Sequence, residues 1–338
     1  MSSLLIITIL ALYYKTQSTI IMRAVFLDQQ TFNSDISLST IKNQVTELIC
    51  YSTTPANKII ERCINAEIII TNKVVLSKAI TLQLPQLKLI CIAATGSNNV
   101  DIIAARQQNI AVTNVSGYAQ QSVAQYVFAQ ILAYYSQTNH HNNNTKQGLW
   151  QQSETFCYHG NAITELADKT LGIIGYGNLG KAVANIANAF KMKVLIAERP
   201  NAADIRNGRL SFKEVIQQAD IISLHCPQTI ETENLIDTEV FNVMKTNAML
   251  INTARGAIIN NEALISALAN KKIAYAVLDV LDSEPPPADH PLLNCHLANL
   301  KITAHIAWAS LEAQQRLLDG IAKNISAYST NTSLNRLD

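Results

Sequence analysis

Thr170-Leu-Gly-Ile-Ile-Gly-Tyr-Gly-Asn-Leu-Gly180 decides the fold, by its content and by its place near the middle of a chain of 338 residues. Leu171 to Ile174 is a short apolar run of the kind that forms a buried parallel strand. Gly175 then permits a tight turn. Gly177 lets main chain approach a pyrophosphate with no Cβ in between, and Gly180 lets the next helix pack close on the strand. That helix, expected from Leu179 to Phe190, places Ala182, Val183, Ile186, Ala187 and Phe190 at helical spacing. Its first-turn amides, reached through Tyr176, Asn178 and Leu179, have no partner within the helix and favour an anion. A second apolar run, Lys193-Val-Leu-Ile-Ala197, ends in Glu198, 18 residues beyond Gly180. An acid that accepts the ribose hydroxyls of a dinucleotide belongs at such a position.

Three spaced glycines alone are a weak sign, because small residues also occur wherever a strand and a helix pack closely. Strand, glycine turn, helix, strand and terminal acid in this order make a dinucleotide site. Glu198 would repel a 2′-phosphate, which favours NAD(H) over NADP(H). Arg199 beside it is what a 2′-phosphate would pair with, so NADPH is not excluded.

A nucleotide fold that opens at residue 170 leaves the first half of the chain for another domain. Apolar runs at Ala24 to Leu27, Ile68 to Ile70, Leu87 to Ile92 and Ile110 to Val112 alternate with helical patterns, which implies a parallel, helix-covered sheet. A long helix around Val123 to Ala133 leads away from it, followed by the polar stretch Gln137 to Gln152, read as a solvated loop. His140 and His141 there have no third ligand nearby, and no metal site is expected. After the glycine turn, strands are expected at Asp220 to Leu224, Ala248 to Asn252, Ala274 to Val280 and Leu300 to Thr303, with Asn260 capping a helix from Asn261. The last helix, Leu311 to Tyr328, has no place on a finished nucleotide domain and is expected to return to the first. The expected fold is α/β, with two doubly wound parallel-sheet domains. Residues 22–121 and 306–338 form a discontinuous, flavodoxin-like substrate domain, and residues 122–305 form an inserted Rossmann NAD-binding domain.

Composition narrows the function classes. Charged residues are 15% of the chain and the formal net charge is +1, so no basic surface points to nucleic acid or an anionic membrane. Six cysteines without metal-ligand spacing suit reduced thiols in the cytoplasm. Leu4 to Tyr14 is apolar but lacks a basic flank and a cleavage site, and is too short to span a bilayer. Met22-Arg-Ala-Val-Phe-Leu-Asp28 already looks like a first strand, so translation is expected to begin at Met22, with residues 1–21 outside the fold.

Three polar positions stand where strand ends should open onto the nucleotide crevice. Arg255 follows a buried strand between Ala254 and Gly256, and a guanidinium binds a carboxylate or keto acid through paired hydrogen bonds. Glu284 lies at the edge of the rigid Pro285-Pro-Pro287 turn. His305 directly follows the final strand, and histidine is the side chain that changes charge near neutral pH.

The chain resembles the D-2-hydroxyacid dehydrogenase family, and within it the glycerate dehydrogenase and hydroxypyruvate reductase branch. The resemblance runs from Met22 to Gly320. It rests on Ala94-Thr-Gly-Ser-Asn-Asn-Val-Asp101, Asn114-Val-Ser-Gly-Tyr118, Gly175-Tyr-Gly-Asn-Leu-Gly180, His225-Cys-Pro227, Asn252-Thr-Ala-Arg-Gly256, Asp279 to Pro285 and Ala304-His-Ile-Ala-Trp-Ala-Ser310. It implies that Arg255 binds the substrate carboxylate and keto oxygen, that His305 is the general acid/base and that Glu284 hydrogen-bonds the histidine. It also implies a carboxylate cradle of amides around Thr95, Gly96, Ser97 and Asn98, a pocket wall at Trp308, and cofactor contacts from Cys226, Pro227, Thr253, Ala254 and Asp279. A homodimer assembled through the cofactor domain is a further implication.

Two departures from the family pattern are Ala304, where a proline usually precedes the histidine, and Lys191, where a glycine usually ends the helix. Neither removes a reacting group, and activity is expected to survive both. The expected reaction is hydride transfer between NADH and C2 of a small 2-keto acid, most simply hydroxypyruvate giving D-glycerate, with glyoxylate or pyruvate as other substrates of the same class. Glu284 disfavours a formate-type enzyme, whose branch has glutamine there, and the chain length disfavours a form with an added regulatory domain. A non-enzymatic NAD-sensing corepressor is the alternative from another class, disfavoured by the absence of a long tail.

Overall fold

The computed structural model describes residues 22–338, so the expectations about the apolar N-terminal run lie outside the described residues. The described chain divides into two compact units, residues 22–118 with Leu311–Asp338, and Ala119–Ser310.

In the first unit, β1 (Arg23–Phe26), β2 (Glu47–Cys50), β3 (Ile68–Thr71), β4 (Leu89–Ile92) and β5 (Ala111–Thr113) form one sheet. Every pairing is parallel and the order is β2-β1-β3-β4-β5, the flavodoxin-like arrangement. The whole of β3 and β4 is buried, which is why both read as continuous apolar runs. The sequence reading missed β2. It lies at the sheet edge, only half buried, and its three apolar residues are too few to show a period. Helix Leu311–Ser329 belongs to this unit and buries Leu317, Leu318, Ile321 and Ile325. Gly320 on that helix has no room for a side chain, since a Cβ there would come 2.6 Å from Cγ1 of Val115.

The second unit carries β6 (Thr170–Ile174), β7 (Lys193–Ile196), β8 (Ile221–Leu224), β9 (Met249–Asn252), β10 (Tyr275–Leu278) and β11 (Leu300–Ile302). All are parallel, in the order β11-β10-β9-β8-β6-β7. Beyond β7 a single parallel bridge pairs Ala197 with Leu210. The Ile196 carbonyl accepts from the Leu210 N–H at 3.0 Å, and the Leu210 carbonyl accepts from that of Glu198 at 2.8 Å. The strand that follows β7 in a doubly wound nucleotide fold is thus reduced here to one residue. The segment between, residues 199–209, folds back over the end of β7.

The polar stretch after helix Gln120–Ser136 is not a loop. Gln137 turns through the left-handed region at φ 50°, and Thr138–Lys146 resumes as a helix. Asparagine-rich sequence has low helix propensity, and side chains supply what propensity does not. His140 Nε2 meets Asn144 Nδ2 at 2.9 Å, Asn144 is buried, and His141 Nε2 lies 3.1 Å from the Asn161 carbonyl. Lys191 adopts φ 57°, the conformation for which glycine is usual after a helix.

The change from one unit to the other comes a few residues away from the expected positions. Ser122 Oγ donates to the Ala307 carbonyl at 2.7 Å and accepts from the Ser310 amide at 3.3 Å, so residues 306–310 stay with the start of helix Gln120–Ser136. Among the described residues no helix is long and apolar enough to cross a membrane.

Candidate active site

The three glycines of the turn do different work. Gly175 has φ 96°, and a Cβ on it would lie 2.5 Å from the Cys226 amide nitrogen, so this turn packs main chain against the end of β8. A Cβ on Gly180 would collide with the Gly175 carbonyl oxygen. Gly177 has nothing within 4 Å of its Cβ position. The first and third glycines are therefore required by packing, while the space beside the second is open. Among the described residues no side chain caps the first turn of helix Asn178–Ala189, whereas Ser211, Asp237 and Asn260 each cap a helix of the same unit. Open space and uncapped amides suit a pyrophosphate.

Two polar atoms at neighbouring strand ends are also unmatched. Thr253 Oγ1 and His225 Nδ1 are buried with no hydrogen-bond partner among the described residues. Buried polar groups are normally paired, so such atoms mark where a ligand would supply the partner. A dinucleotide fits this edge. The other ring nitrogen of His225 lies 2.9 Å from Ser223 Oγ, and burial pushes its pKa down to about 4. Burial pushes the Cys226 thiol up to about 11, so it stays neutral, and the Pro227 carbonyl is held by Thr232 Oγ1 at 2.7 Å.

Glu198 occupies the expected place but is not free. It is 4% exposed. Its Oε1 accepts from the Arg199 amide at 2.8 Å and from Arg206 Nη2 at 2.5 Å. Its Oε2 accepts from Arg206 Nε at 2.7 Å and from the Arg206 amide at 3.3 Å. Arg209 Nη1 stands 3.7 Å from Oε1. The Arg206 guanidinium, with help from the Arg199 amide, holds this carboxyl well below the usual carboxylate range. The Arg199 side chain, the expected basic partner, is exposed. Arg206 went unnoticed in the sequence because it sits in a polar loop with no periodic context. The available signal was a rule: a carboxylate at the end of a buried strand needs a counter-charge.

Around Arg255 the chain is shaped by a buried asparagine. Asn252 Oδ1 accepts from the Ala254 amide at 2.9 Å, and its Nδ2 donates to the Arg255 carbonyl at 2.8 Å. Gly256 next to the arginine packs against the main chain of Leu281 and Asp282 so closely that no Cβ fits. The arginine loop and the glutamate loop thus touch backbone to backbone. Arg255 Nη1 donates to the Ala254 carbonyl at 2.6 Å, and among the described residues no carboxylate pairs with this guanidinium. Glu284 accepts from the Leu281 amide through Oε1 at 3.0 Å and lies 2.7 Å from His305 Nδ1 through Oε2. Beside it, His290 is buried, with Nε2 at 2.8 Å from Asp282 Oδ1 and Nδ1 accepting from the Leu292 amide at 3.3 Å, which ties down the proline turn.

His305 has φ 54°, a conformation that non-glycine residues adopt rarely and only where their surroundings impose it. Asp279 imposes it. This aspartate is 1% exposed, and its main-chain carbonyl accepts from the His305 amide at 2.7 Å. Its carboxylate accepts from Thr303 Oγ1 at 2.7 Å and from the amides of Ile306 and Ala307 at 2.9 and 2.8 Å. Thr303 in turn meets the Tyr126 hydroxyl. Burial pushes the Asp279 carboxyl up, and these hydrogen bonds pull the other way. Asp279, expected beside the cofactor, has most of its acceptor capacity engaged in holding the histidine loop. Thr303 and Tyr126 were missed in the sequence, since nothing local links a helix residue to a strand end so far along the chain. Trp308 lies half buried in the same loop.

Thr95, Gly96, Ser97 and Asn98 lie in the other unit, in the loop after β4. Thr95 Oγ1 donates to the Val115 carbonyl at 3.0 Å and the Thr95 carbonyl accepts from Asn114 Nδ2 at 2.7 Å, which fixes the loop's start. The main-chain amides of all four have no acceptor among the described residues. A run of unpaired amides is suited to an anion.

In the second unit, then, Gly175, Glu198, His225, Thr253, Asp279 and His305 all follow the C-terminal ends of parallel strands, the edge on which such sheets bind ligands. Residues 128–307 match the model of the D-isomer specific 2-hydroxyacid dehydrogenase NAD-binding domain. A Haemophilus influenzae protein named as a 2-hydroxyacid dehydrogenase is 42% identical over 311 residues, covering 91% of this chain and 98% of its own. A glycerate dehydrogenase of Methylorubrum extorquens is 39% identical over 308 residues, covering 90% and 96%. Among solved structures, an acyclic imino acid reductase in complex with NADPH and D-Arg superposes with a TM-score of 0.81 at 28% identity, covering 94% of this chain and 100% of that one.

Proposed function

Since this chain belongs to the D-isomer specific 2-hydroxyacid dehydrogenase family, we propose that it reduces hydroxypyruvate to D-glycerate, with NADH preferred over NADPH. The pairing of His305 Nδ1 with Glu284 at 2.7 Å is the observation that carries this reading. A carboxylate accepts only, so Nδ1 is the donor and Nε2 is the nitrogen left for a substrate. In this reading Nε2 delivers a proton to the C2 oxygen of the keto acid while C2 receives the hydride, and in reverse it takes that proton back. NAD(H) supplies the hydride. Glu284 orients the imidazole through that hydrogen bond. Arg255 binds the substrate carboxylate and polarises the keto oxygen through paired hydrogen bonds.

Residues 22–118 with Leu311–Asp338 act as the substrate-binding domain, where the amides of Thr95 to Asn98 cradle the carboxylate. Ala119–Ser310 acts as the cofactor domain. The amides at Tyr176 to Leu179 hold the pyrophosphate, Glu198 the ribose, and Cys226, Pro227, Thr253, Ala254 and Asp279 flank the remainder, with Trp308 lining the substrate pocket. The protein works in the cytoplasm as a homodimer formed through the cofactor domain. An apolar cleft of about 790 Å³, lined by Phe128, Ala129, Leu132, Ile186 and Phe190 among others, supports the dimer, as does Phe156 at 91% exposure in the same unit.

Steady-state kcat/KM for hydroxypyruvate, glyoxylate and pyruvate, each with NADH and NADPH, tests the reading. Hydroxypyruvate with NADH should give the highest value. A higher value for glyoxylate or pyruvate moves the substrate assignment within the family. Absence of any keto-acid-dependent NADH oxidation overturns the enzyme in favour of a nucleotide-sensing protein.

A further inference from the structure

Glu198 is the carboxylate that would take the ribose hydroxyls, yet both of its oxygens are engaged by the protein itself. A carboxylate has about four acceptor positions, and four donors fill them: the Arg199 amide, the Arg206 amide, Arg206 Nε and Arg206 Nη2. Two of the four belong to one guanidinium in a fork geometry. That side chain is anchored on one side only, being 54% exposed, while the carboxylate it grips is 3% exposed. A second guanidinium, Arg209, stands 3.7 Å away and also reaches the Ala197 carbonyl at 3.5 Å. Next to them is a cavity of about 300 Å³ lined by Glu198, Arg199, Ser211 and Lys213 among others. Four basic residues, Arg199, Arg206, Arg209 and Lys213, thus lie around this buried carboxylate, with Asp204 and Glu214 as the other acids of the same stretch.

We propose that Arg206 is a displaceable latch that sets nucleotide selectivity: it closes the ribose carboxylate in the free protein, and on release its guanidinium meets the 2′ position of the bound nucleotide. The inference rests on the reading of this edge as an NAD(H) site. Ribose hydroxyls can donate to Glu198 only after Arg206 has given up its two side-chain bonds. NADH therefore binds against a competing ion pair. The same released guanidinium, with Arg209 and Arg199 close by, is a ready partner for a 2′-phosphate, so NADPH recovers through the cation what Glu198 takes away by repulsion. Arg206 thereby weakens NADH and strengthens NADPH, and the two nucleotides are brought closer together than a lone Glu198 would leave them.

Equilibrium dissociation constants of NADH and NADPH, read from nucleotide fluorescence without substrate, test the latch in the wild-type protein, Arg206→Leu and Arg206→Lys. In Arg206→Leu, NADH should bind up to about fivefold more tightly, the worth of an exposed ion pair. NADPH should bind roughly tenfold more weakly, the loss of one charge-assisted pair. Arg206→Lys, which keeps the charge without the fork, should tighten NADH and spare most of the NADPH affinity, and it serves alone if the leucine variant does not fold. Weaker NADH binding in both variants would make Arg206 a support that orients Glu198 and would overturn the latch. Unchanged NADPH binding in Arg206→Leu would overturn it as well. If the wild-type protein bound neither nucleotide, the NAD(H) reading itself would fall, an outcome separate from the other two.

Discussion

Polar groups at the C-terminal edges of the two parallel sheets are treated in two opposite ways, and one example from each sheet shows the difference. In the first, Asp28 follows β1 at 4% exposure, and its carboxylate accepts from the amides of Asn72, Lys73 and Val74 at 2.9, 2.6 and 3.2 Å and from Thr71 Oγ1 at 3.4 Å. In the second, among the described residues, Thr253 Oγ1 and His225 Nδ1 are buried and unmatched, and the space beside Gly177 is open. Architecture is shared and use is not. Where the acceptors of a buried carboxylate are met by main-chain amides and a hydroxyl of the protein itself, the group closes a turn. Where buried polar atoms lack partners at the same kind of edge, the fold has left them for something that arrives from outside. Asp279 belongs to the first type although it sits in the second sheet, since it holds the loop on which His305 stands.

The sharpest way to break this contrast is His305→Gln. It removes the proposed proton donor at the open edge, and kcat/KM should fall by about a thousandfold, within the usual range for a lost general acid. NADH binding should be unchanged by fluorescence titration. A fully active variant would mean that the open edge is not where the proton moves. At the closed edge, Asp28→Ala should leave several buried amides unpaired and cost about 3 kcal/mol of stability in urea denaturation. Its kcat should stay within a factor of about two of wild type at saturating substrate. A large loss of kcat with normal stability would erase the distinction between the sheets.

The smallest effect concerns His225. Burial holds its pKa at about 4, below the ordinary value near 6.5 in the unfolded chain. A histidine with a lowered folded pKa makes its full contribution to stability above about pH 6.5, and that contribution is lost as pH falls toward 4. At pH 5 the loss should be about 2 kcal/mol. His225→Gln should lack this part of the acid dependence when unfolding is followed between pH 7 and 5. An identical slope in both proteins would mean that the His225 environment is not closed to protons.

Much of the fold was readable because its signals are local. The run from Thr170 to Glu198 places strand, turn, helix, strand and acid within reach of one another, and each step has its own chemistry. β4, and β3 but for Thr71, could be read from hydrophobicity alone. β2 could not, because an edge strand with half-buried residues carries little pattern. Thr138–Lys146 was unreadable as a helix because it depends on Asn144 and on contacts with residues near Asn161 rather than on propensity. At the candidate site the types and order of Arg255, Glu284 and His305 were legible, as was Glu198 at the strand end.

The chain by itself thus determined the class of fold and the nucleotide turn, and it supplied the residues proposed to move a proton and bind a carboxylate. The fold and the turn follow from short-range periodicity and glycine chemistry, and the roles of the site residues from the family resemblance. Tertiary structure alone decided that Arg206 covers Glu198, that Asp279, Thr303 and Tyr126 hold His305 in a left-handed conformation, and that Gly256 joins the arginine and glutamate loops. Each of these joins parts of the chain through directional hydrogen bonds or steric exclusion. Such terms depend on where atoms lie in space, and the sequence around either partner carries no mark of them.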